Sequence, residues 1–388
     1  MRRQLAAFLS FGVFCLCVPA AAQPAIETPS WARGLQGWSI AEVARGPGKR
    51  DLERVPYRRS VLVTQDAQDN LYLLDTASGR VEQYAPNGDK RRSWTVQGWE
   101  PLEASTNLSD FATDRRGSVF AFASRGRIRV FEREELVSTF TIPTFVTGLA
   151  FLKSELMVAR IPLQFGGHES TKAPFVRQGS LLTRARLNGE ILGETLPPDE
   201  AEGPDPLSLA MTQDIVIAAD ESSGVLWVAD RHRLCRLRRL SASGRVTGEW
   251  VSDTVKAGVR FEGSAPNEVS RYVTEEAARG FRPIDAPMVA RDLVARRGVV
   301  YTLLNPKAVA EMAVVDVFSS SDQGPMWRIG LQVEGGRYFN QLAVTENGFW
   351  LFPVVPGEFP RWVERAPDWL MMQSDQTSHN EEEEAPTS

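Results

Sequence analysis

Read for its apolar and polar positions, the chain from residue 60 onward repeats a short unit. A turn is followed by an apolar residue, an aromatic and another apolar residue. The unit recurs as Asn70-Leu71-Tyr72-Leu73, Ser118-Val119-Phe120-Ala121, Glu155-Leu156-Met157-Val158, Val225-Leu226-Trp227-Val228, Val299-Val300-Tyr301-Thr302 and Gly348-Phe349-Trp350-Leu351, with Met157 in the aromatic place of the third copy. An apolar strand precedes each copy: Val61-Leu62-Val63, Phe111-Ala112-Thr113, Leu149-Ala150-Phe151, Ile215-Val216-Ile217, Leu293-Val294-Ala295 and Leu342-Ala343-Val344. Turn sequences such as Asp66-Ala67-Gln68-Asp69 and Asp114-Arg115-Arg116-Gly117 join the two, with Asp, Asn and Gly where left-handed or side-chain-bonded backbone is needed.

Downstream of each copy the pattern changes from continuous to alternating. Arg127-Ile128-Arg129-Val130-Phe131 and Thr183-Arg184-Ala185-Arg186-Leu187 read as half-buried third strands. A second turn follows, as in Pro86-Asn87-Gly88-Asp89 or Asn188-Gly189-Glu190, then a fourth strand with an aromatic: Trp94, Phe140, Trp250 or Trp327. Two continuous inner strands and two alternating outer ones make one blade of a β-propeller. Six copies predict an all-β, six-bladed β-propeller of four-stranded antiparallel blades. Length alone would suggest two or three domains, but a repeat overrides that prior.

The last repeat supplies three strands only, at 341–345, 348–353 and about 360–365. Residues 37–45 have strand character, and the expectation is that they join this last blade by pairing with 360–365. Such a closure would remove the exposed sheet edges.

Two copies carry a resemblance to a known repeat. Asp69-Asn70-Leu71-Tyr72-Leu73-Leu74-Asp75, with Gly79-Arg80-Val81-Glu82-Gln83-Tyr84 and Asn87-Gly88-Asp89 after it, resembles the NHL type of six-bladed propeller repeat, and so does Val225-Leu226-Trp227-Val228-Ala229-Asp230. The likeness spans the chain after its leader and is degenerate outside these two blades. It implies the fold. The wider six-bladed group includes binding scaffolds, lactonases and lyases, so it does not single out an activity.

The ends differ from the repeats. Met1-Arg2-Arg3, an apolar run from Leu5 to Val18 and Ala20-Ala21-Ala22 form a secretory signal peptide over 1–22. Residues 23–372 are then the propeller, and 373–388, with Glu381-Glu382-Glu383-Glu384, an acidic disordered tail. The expected location is periplasmic or secreted. No other apolar run is long enough to cross a bilayer. Two of the three cysteines leave with the leader, so Cys235 has no partner for an internal disulfide. The formal net charge of −5 does not suit a nucleic-acid binder.

Connections from strand one to two and three to four are uniformly short. Every long insertion falls in the other set: 160–180, 197–213, 252–290, 304–312 and 353–359. Variable loops gathered on one end of a rigid scaffold are where binding sites usually lie. Within 252–290, Asn267 and Gly280 suit the caps of a helix over about 268–279. The inner strands begin at that same end, so Asp110, Asp214, Arg291, Asp292, Asn340 and Gln341, with Arg59 nearby, ring the channel opening. They suit a small polar ligand or a cation. The plainer reading is that they solvate a water-filled channel and cap strand ends.

Enzyme chemistry finds little support. His168, His232 and His379 are the only histidines, too few and too scattered for a zinc site or most catalytic triads. No Gly-x-Ser-x-Gly elbow and no phosphate loop is present. The basic run Arg231-His232-Arg233-Leu234-Cys235-Arg236-Leu237-Arg238-Arg239 reads as an exposed outer strand with solvated side chains. The first expectation is therefore a non-catalytic scaffold for a protein, peptide or saccharide, without cofactor. The alternative is a hydrolase or lyase using Ca2+ or another divalent cation at the channel mouth.

Overall fold

A computed structural model describes residues 37–43, 48–58, 60–101, 109–124, 126–161, 164–165, 175–176, 179–198, 214–231, 236–251, 290–304, 312–319, 325–332, 339–353 and 356–364. The leader, the acidic tail, the helix expected at 268–279, Arg59, His168, His232 and Cys235 lie outside these residues.

The chain enters through β1 (Gly37–Glu42). Blade one is β2 (Val61–Gln65), β3 (Leu71–Asp75), β4 (Arg80–Tyr84) and β5 (Lys90–Thr95). Blade two is β6 (Ser109–Thr113), β7 (Val119–Ser124), β8 (Arg127–Glu132) and β9 (Glu135–Thr141). Blade three is β10 (Val146–Leu152), β11 (Glu155–Arg160), β14 (Leu182–Ala185) and β15 (Ile191–Thr195), with a small hairpin of β12 (Gln164–Phe165) and β13 (Phe175–Val176) inserted. Blade four is β16 (Ile215–Asp220), β17 (Val225–Asp230), β18 (Arg236–Ser241) and β19 (Val246–Val251). Blade five is β20 (Ala290–Arg296), β21 (Val299–Leu304), β22 (Met312–Ser319) and β23 (Pro325–Gln332). Blade six is β24 (Phe339–Thr345), β25 (Gly348–Pro353) and β26 (Arg361–Glu364). The sequential strands of every blade pair antiparallel, and the whole is a six-bladed β-propeller, as the repeat predicts.

The apolar pattern is explained by where each strand packs. β10 and β25 are buried along their whole length, whereas the outer strand β5 is almost wholly exposed. The core is a set of seams, one between each neighbouring pair of blades. Leu62, Tyr72 and Leu74 of blade one meet Phe111, Phe120 and Phe122 of blade two. The last seam joins Leu52, Val63, Leu73 and Tyr84 to Ala343, Trp350 and Phe352 of blade six.

One expectation fails at the ring closure. The N-terminal segment does not join the last blade. β1 runs parallel to β23 in blade five, from Gly37 opposite Trp327 to Glu42 opposite Gln332. β23 offers eight residues of outer edge, whereas β26 is a third strand of four residues and offers half that ladder. The ring is closed instead by the seam just described. Gln65 adds side-chain bonds across it: Val344 N donates to Gln65 Oε1 at 3.0 Å, and Gln65 Nε2 donates to Val344 O at 2.5 Å. Tyr57 N donates to Glu358 O at 2.6 Å and Gly357 N to Tyr57 O at 2.9 Å.

The basic run is the second correction. Arg238 is buried, and Arg236 and Arg238 both bind Asp230 at the end of the preceding strand, at 2.8 and 2.5 Å. Alternation in β18 puts Arg236 and Arg238 on the same face of the sheet, where the buried carboxylate of Asp230 makes burial of the Arg238 charge tolerable.

Candidate functional site

The six inner strands surround a cavity of about 360 Å³ that follows the ring axis. Its middle wall is built from small and aliphatic side chains, among them Val63, Ala112, Ala150, Ala218 and Ala343. Polar groups are concentrated at its two ends.

At the end where the inner strands begin, three of them carry an extra residue. The pairing of β10 with β11 shifts between Val146 and Gly148, that of β20 with β21 between Ala290 and Asp292, and that of β24 with β25 between Phe339 and Gln341. Thr147, Arg291 and Asn340 are thus bulge residues at matching places in blades three, five and six. A bulge interrupts the ladder and re-aims the side chains beside it.

Arg231 exploits two of these bulges. Its guanidinium donates to the carbonyls of Arg291 at 3.2 Å and Thr147 at 3.3 Å, and its Nε lies 3.3 Å from Asp214 Oδ2. Blades three, four and five are held together at the mouth by this one side chain. In the sequence Arg231 belongs to the basic run, whose charge suggests an exposed strand and gives no hint of this role. The available signal was its position: it directly follows β17, whose end lies at the same face as the starts of the inner strands.

Asp110 and Asp292 stand in blades two and five, which are opposite one another in a ring of six. Each reaches the inner strand of the next blade. Leu149 N donates to Asp110 Oδ2 at 2.5 Å, and Leu342 N donates to Asp292 Oδ2 at 2.7 Å. Leu293 N also donates to Asp292 Oδ1 at 2.9 Å. Burial is the main influence on both carboxyls. It pushes Asp110 up to about 6 against its backbone hydrogen bonds and Arg231. Asp292 is pushed up to about 7, with the charge of Asp110 adding to burial while Arg231 opposes it.

Asp110, Asp292 and Gln341 line the cavity. Asp214 is buried behind Arg231 as its ion-pair partner. Arg291 and Asn340 sit at bulges, Arg291 lending its carbonyl. Arg59 falls outside the described residues. Among the described residues no group of three or more His, Cys, Asp or Glu side chains is placed to hold a metal ion.

A titration follows from the raised carboxyls. An unfolded chain releases both protons near the ordinary value of 3.8, whereas the folded chain keeps them to about 6 and 7. The unfolded state thus binds fewer protons between these limits, and this contribution to stability falls as pH rises from about 4 to about 7. Asp292→Asn removes its share. The gap in unfolding free energy between the variant and the parent is expected to shift in the variant's favour by about 2 kcal/mol between pH 4 and 8, after allowance for screening by channel water. Urea denaturation at pH 4, 6 and 8 measures it. An equal gap at all three pH values would refute the assignment.

The opposite end is built from turns. Asp66 accepts from Gln68 N, Asn70 N and Asn70 Nδ2, each at 2.9 Å, and from the Tyr72 hydroxyl at 2.8 Å. Asp220 accepts from Ser222 and Ser223 and, across the blade boundary, from Gly298 N at 2.9 Å. Arg296 pairs with Asp69 and donates to Val344 O at 3.0 Å. These carboxylates are engaged in shaping the short turns, as their place in the repeat predicts.

No protein-family model matches the sequence, and no curated protein matches it. Structural comparison finds propellers at very low identity. A catalytically inactive virginiamycin B lyase from Staphylococcus aureus with quinupristin is 10% identical at a TM-score of 0.43, covering 80% of this chain and 83% of that one. The Pan2 WD40 domain of Neurospora crassa is 10% identical at 0.42, covering 80% and 90%. A member of the DUF4221 family from Bacteroides vulgatus is 9% identical at 0.45, covering 79% and 92%.

Proposed function

We propose that this chain is an exported, non-catalytic propeller of the NHL-like kind. It holds a protein, peptide or saccharide on the end of the ring where the inner strands begin. One observation carries the reading. The described turns between strands one and two and between strands three and four are all short. The strand ends that lead into the connections 196–214, 252–289, 305–311 and 333–338 all belong to the other face. A rigid ring whose long connections all leave from one face suits a recognition scaffold. The polar groups of that opening further support a binding role. Asp110, Asp214, Asp292 and the Arg231 guanidinium are engaged by backbone groups and by each other.

The cation-dependent hydrolase or lyase has one observation in its favour, the facing carboxylates Asp110 and Asp292. A third acidic or amide ligand would be needed to complete such a site.

The test uses the full exported chain as bait on an envelope or culture-supernatant fraction. It is run beside a variant in which 253–288 is replaced by a short Gly/Ser linker. The expected result is a stoichiometric partner or glycan captured by the parent and lost at least tenfold in the variant, with thermal unfolding unchanged. Equal capture by both would overturn the reading. The leader predicts that the secreted form begins at Gln23, which N-terminal sequencing reads directly.

A further inference from the structure

The cavity end bounded by Asp110, Asp292 and Gln341 is rich in acceptors. One N–H of each Arg231 Nη goes to the carbonyls of Arg291 and Thr147. The nearby amides of Leu149, Leu293 and Leu342 go to the two carboxylates. Each carboxylate oxygen keeps a lone pair beyond the bond it accepts. Gln341 Oε1 is buried without a hydrogen-bond partner. An unsatisfied buried acceptor is costly and calls for a donor. Beneath these oxygens the wall turns apolar through Phe111, Leu149, Ala150 and Ala343.

We propose that this end of the channel binds a primary alkylammonium group, the ammonium among Asp110, Asp292 and Gln341 and the aliphatic stem along the apolar wall. An ammonium brings three donors and one positive charge, which matches three acceptor side chains and two facing carboxylates. The charged groups at this mouth are Asp110, Asp214, Arg231, Arg291 and Asp292. Asp214 is paired with Arg231; counted as ionised, the three carboxylates and two guanidiniums leave one net negative charge, which a single ammonium balances. Two sources supply this chemistry, a free amine and the lysine side chain of a protein. The site does not depend on what the long connections hold, and it can fail while partner capture succeeds.

The experiment is calorimetric titration of the full chain with n-butylammonium chloride, n-butanol and a lysine peptide with blocked termini, at pH 5.5 and 8. Saturable binding of n-butylammonium is expected, at least tenfold tighter at pH 8, because bound cation requires both carboxylates ionised. Proton release should appear as a buffer-dependent heat. The alcohol should bind at least tenfold more weakly. Asp292→Asn and Asp110→Asn should each weaken binding at least tenfold. If one variant does not fold, the other variant and the pH comparison on the parent decide. Tighter binding of the peptide than of n-butylammonium assigns the site to a protein's lysine, and exclusion of the peptide assigns it to a free amine. No saturable binding of either amine, equal binding of n-butanol, or undiminished affinity in the folded variants would overturn the proposal.

Discussion

Replacing Trp350 with alanine is expected to lower the stability of the ring by about 4 kcal/mol, in the range of large buried aromatic truncations. The side chain is completely buried in the seam between blades six and one. Its Nε1 donates to Pro86 O at 3.0 Å, and its ring lies 5.1 Å from that of Trp362. Gly88 approaches so closely that an added Cβ there would come within 2.4 Å of the indole. Blade six has three described strands and no N-terminal strand beside it, so this seam carries the closure. Trp350→Phe keeps most of the volume and loses the bond to Pro86, for a cost of about 1 kcal/mol in the bond plus the smaller ring. Equilibrium urea denaturation of the three proteins gives the comparison. A loss below about 1 kcal/mol for the alanine variant would show that the ring is held shut elsewhere.

Arg328→Ala is expected to cost a similar amount, about 3–5 kcal/mol, for an electrostatic reason. Asp316 is fully buried in β22, opposite Arg328 in β23, and the guanidinium binds it through Nε at 2.5 Å and Nη2 at 2.6 Å. Burial raises the Asp316 carboxyl and Arg328 pulls it back. Without the arginine the carboxylate is a buried charge with its main partner removed. The deficit should shrink as pH falls, because a protonated Asp316 needs no counter-charge. The pair replaced together, as Asp316→Leu with Arg328→Met, should recover most of the loss, since an apolar pair of similar volume avoids the desolvation cost. A double-mutant cycle at pH 5 and 8 measures the coupling. The explanation fails if the single variant is as stable as the double one at both pH values.

The location of the candidate site was legible because it follows from repeat geometry. Asp110, Asp292 and Gln341 precede or begin inner strands, and inner strands line the axis of any propeller. The role of Arg231 was not legible. Its neighbours are basic, and the run looks like an outer strand, but its contacts are carbonyls of Thr147 and Arg291, far away in sequence. The bulges that free those carbonyls leave no mark in the hydrophobic pattern, because one extra residue at a strand start does not disturb the alternation beyond it. Arg238 misled for a related reason. Its charge suggested solvent, and only the chain's return past Asp230 supplies the carboxylate that lets it be buried.

Periodicity along the chain determined the strands, their grouping by four, the number of blades and the face that bears the long connections. Each of these depends on contacts within a repeat, between residues near in sequence. Tertiary structure alone decided how the ring shuts. The choice for residues 37–42 lay between two edges about three hundred residues downstream. It fell to β23, because eight residues of ladder can satisfy more backbone groups than the four of β26. No local pattern records the length of a distant edge, and so the closure could be read only from the folded chain.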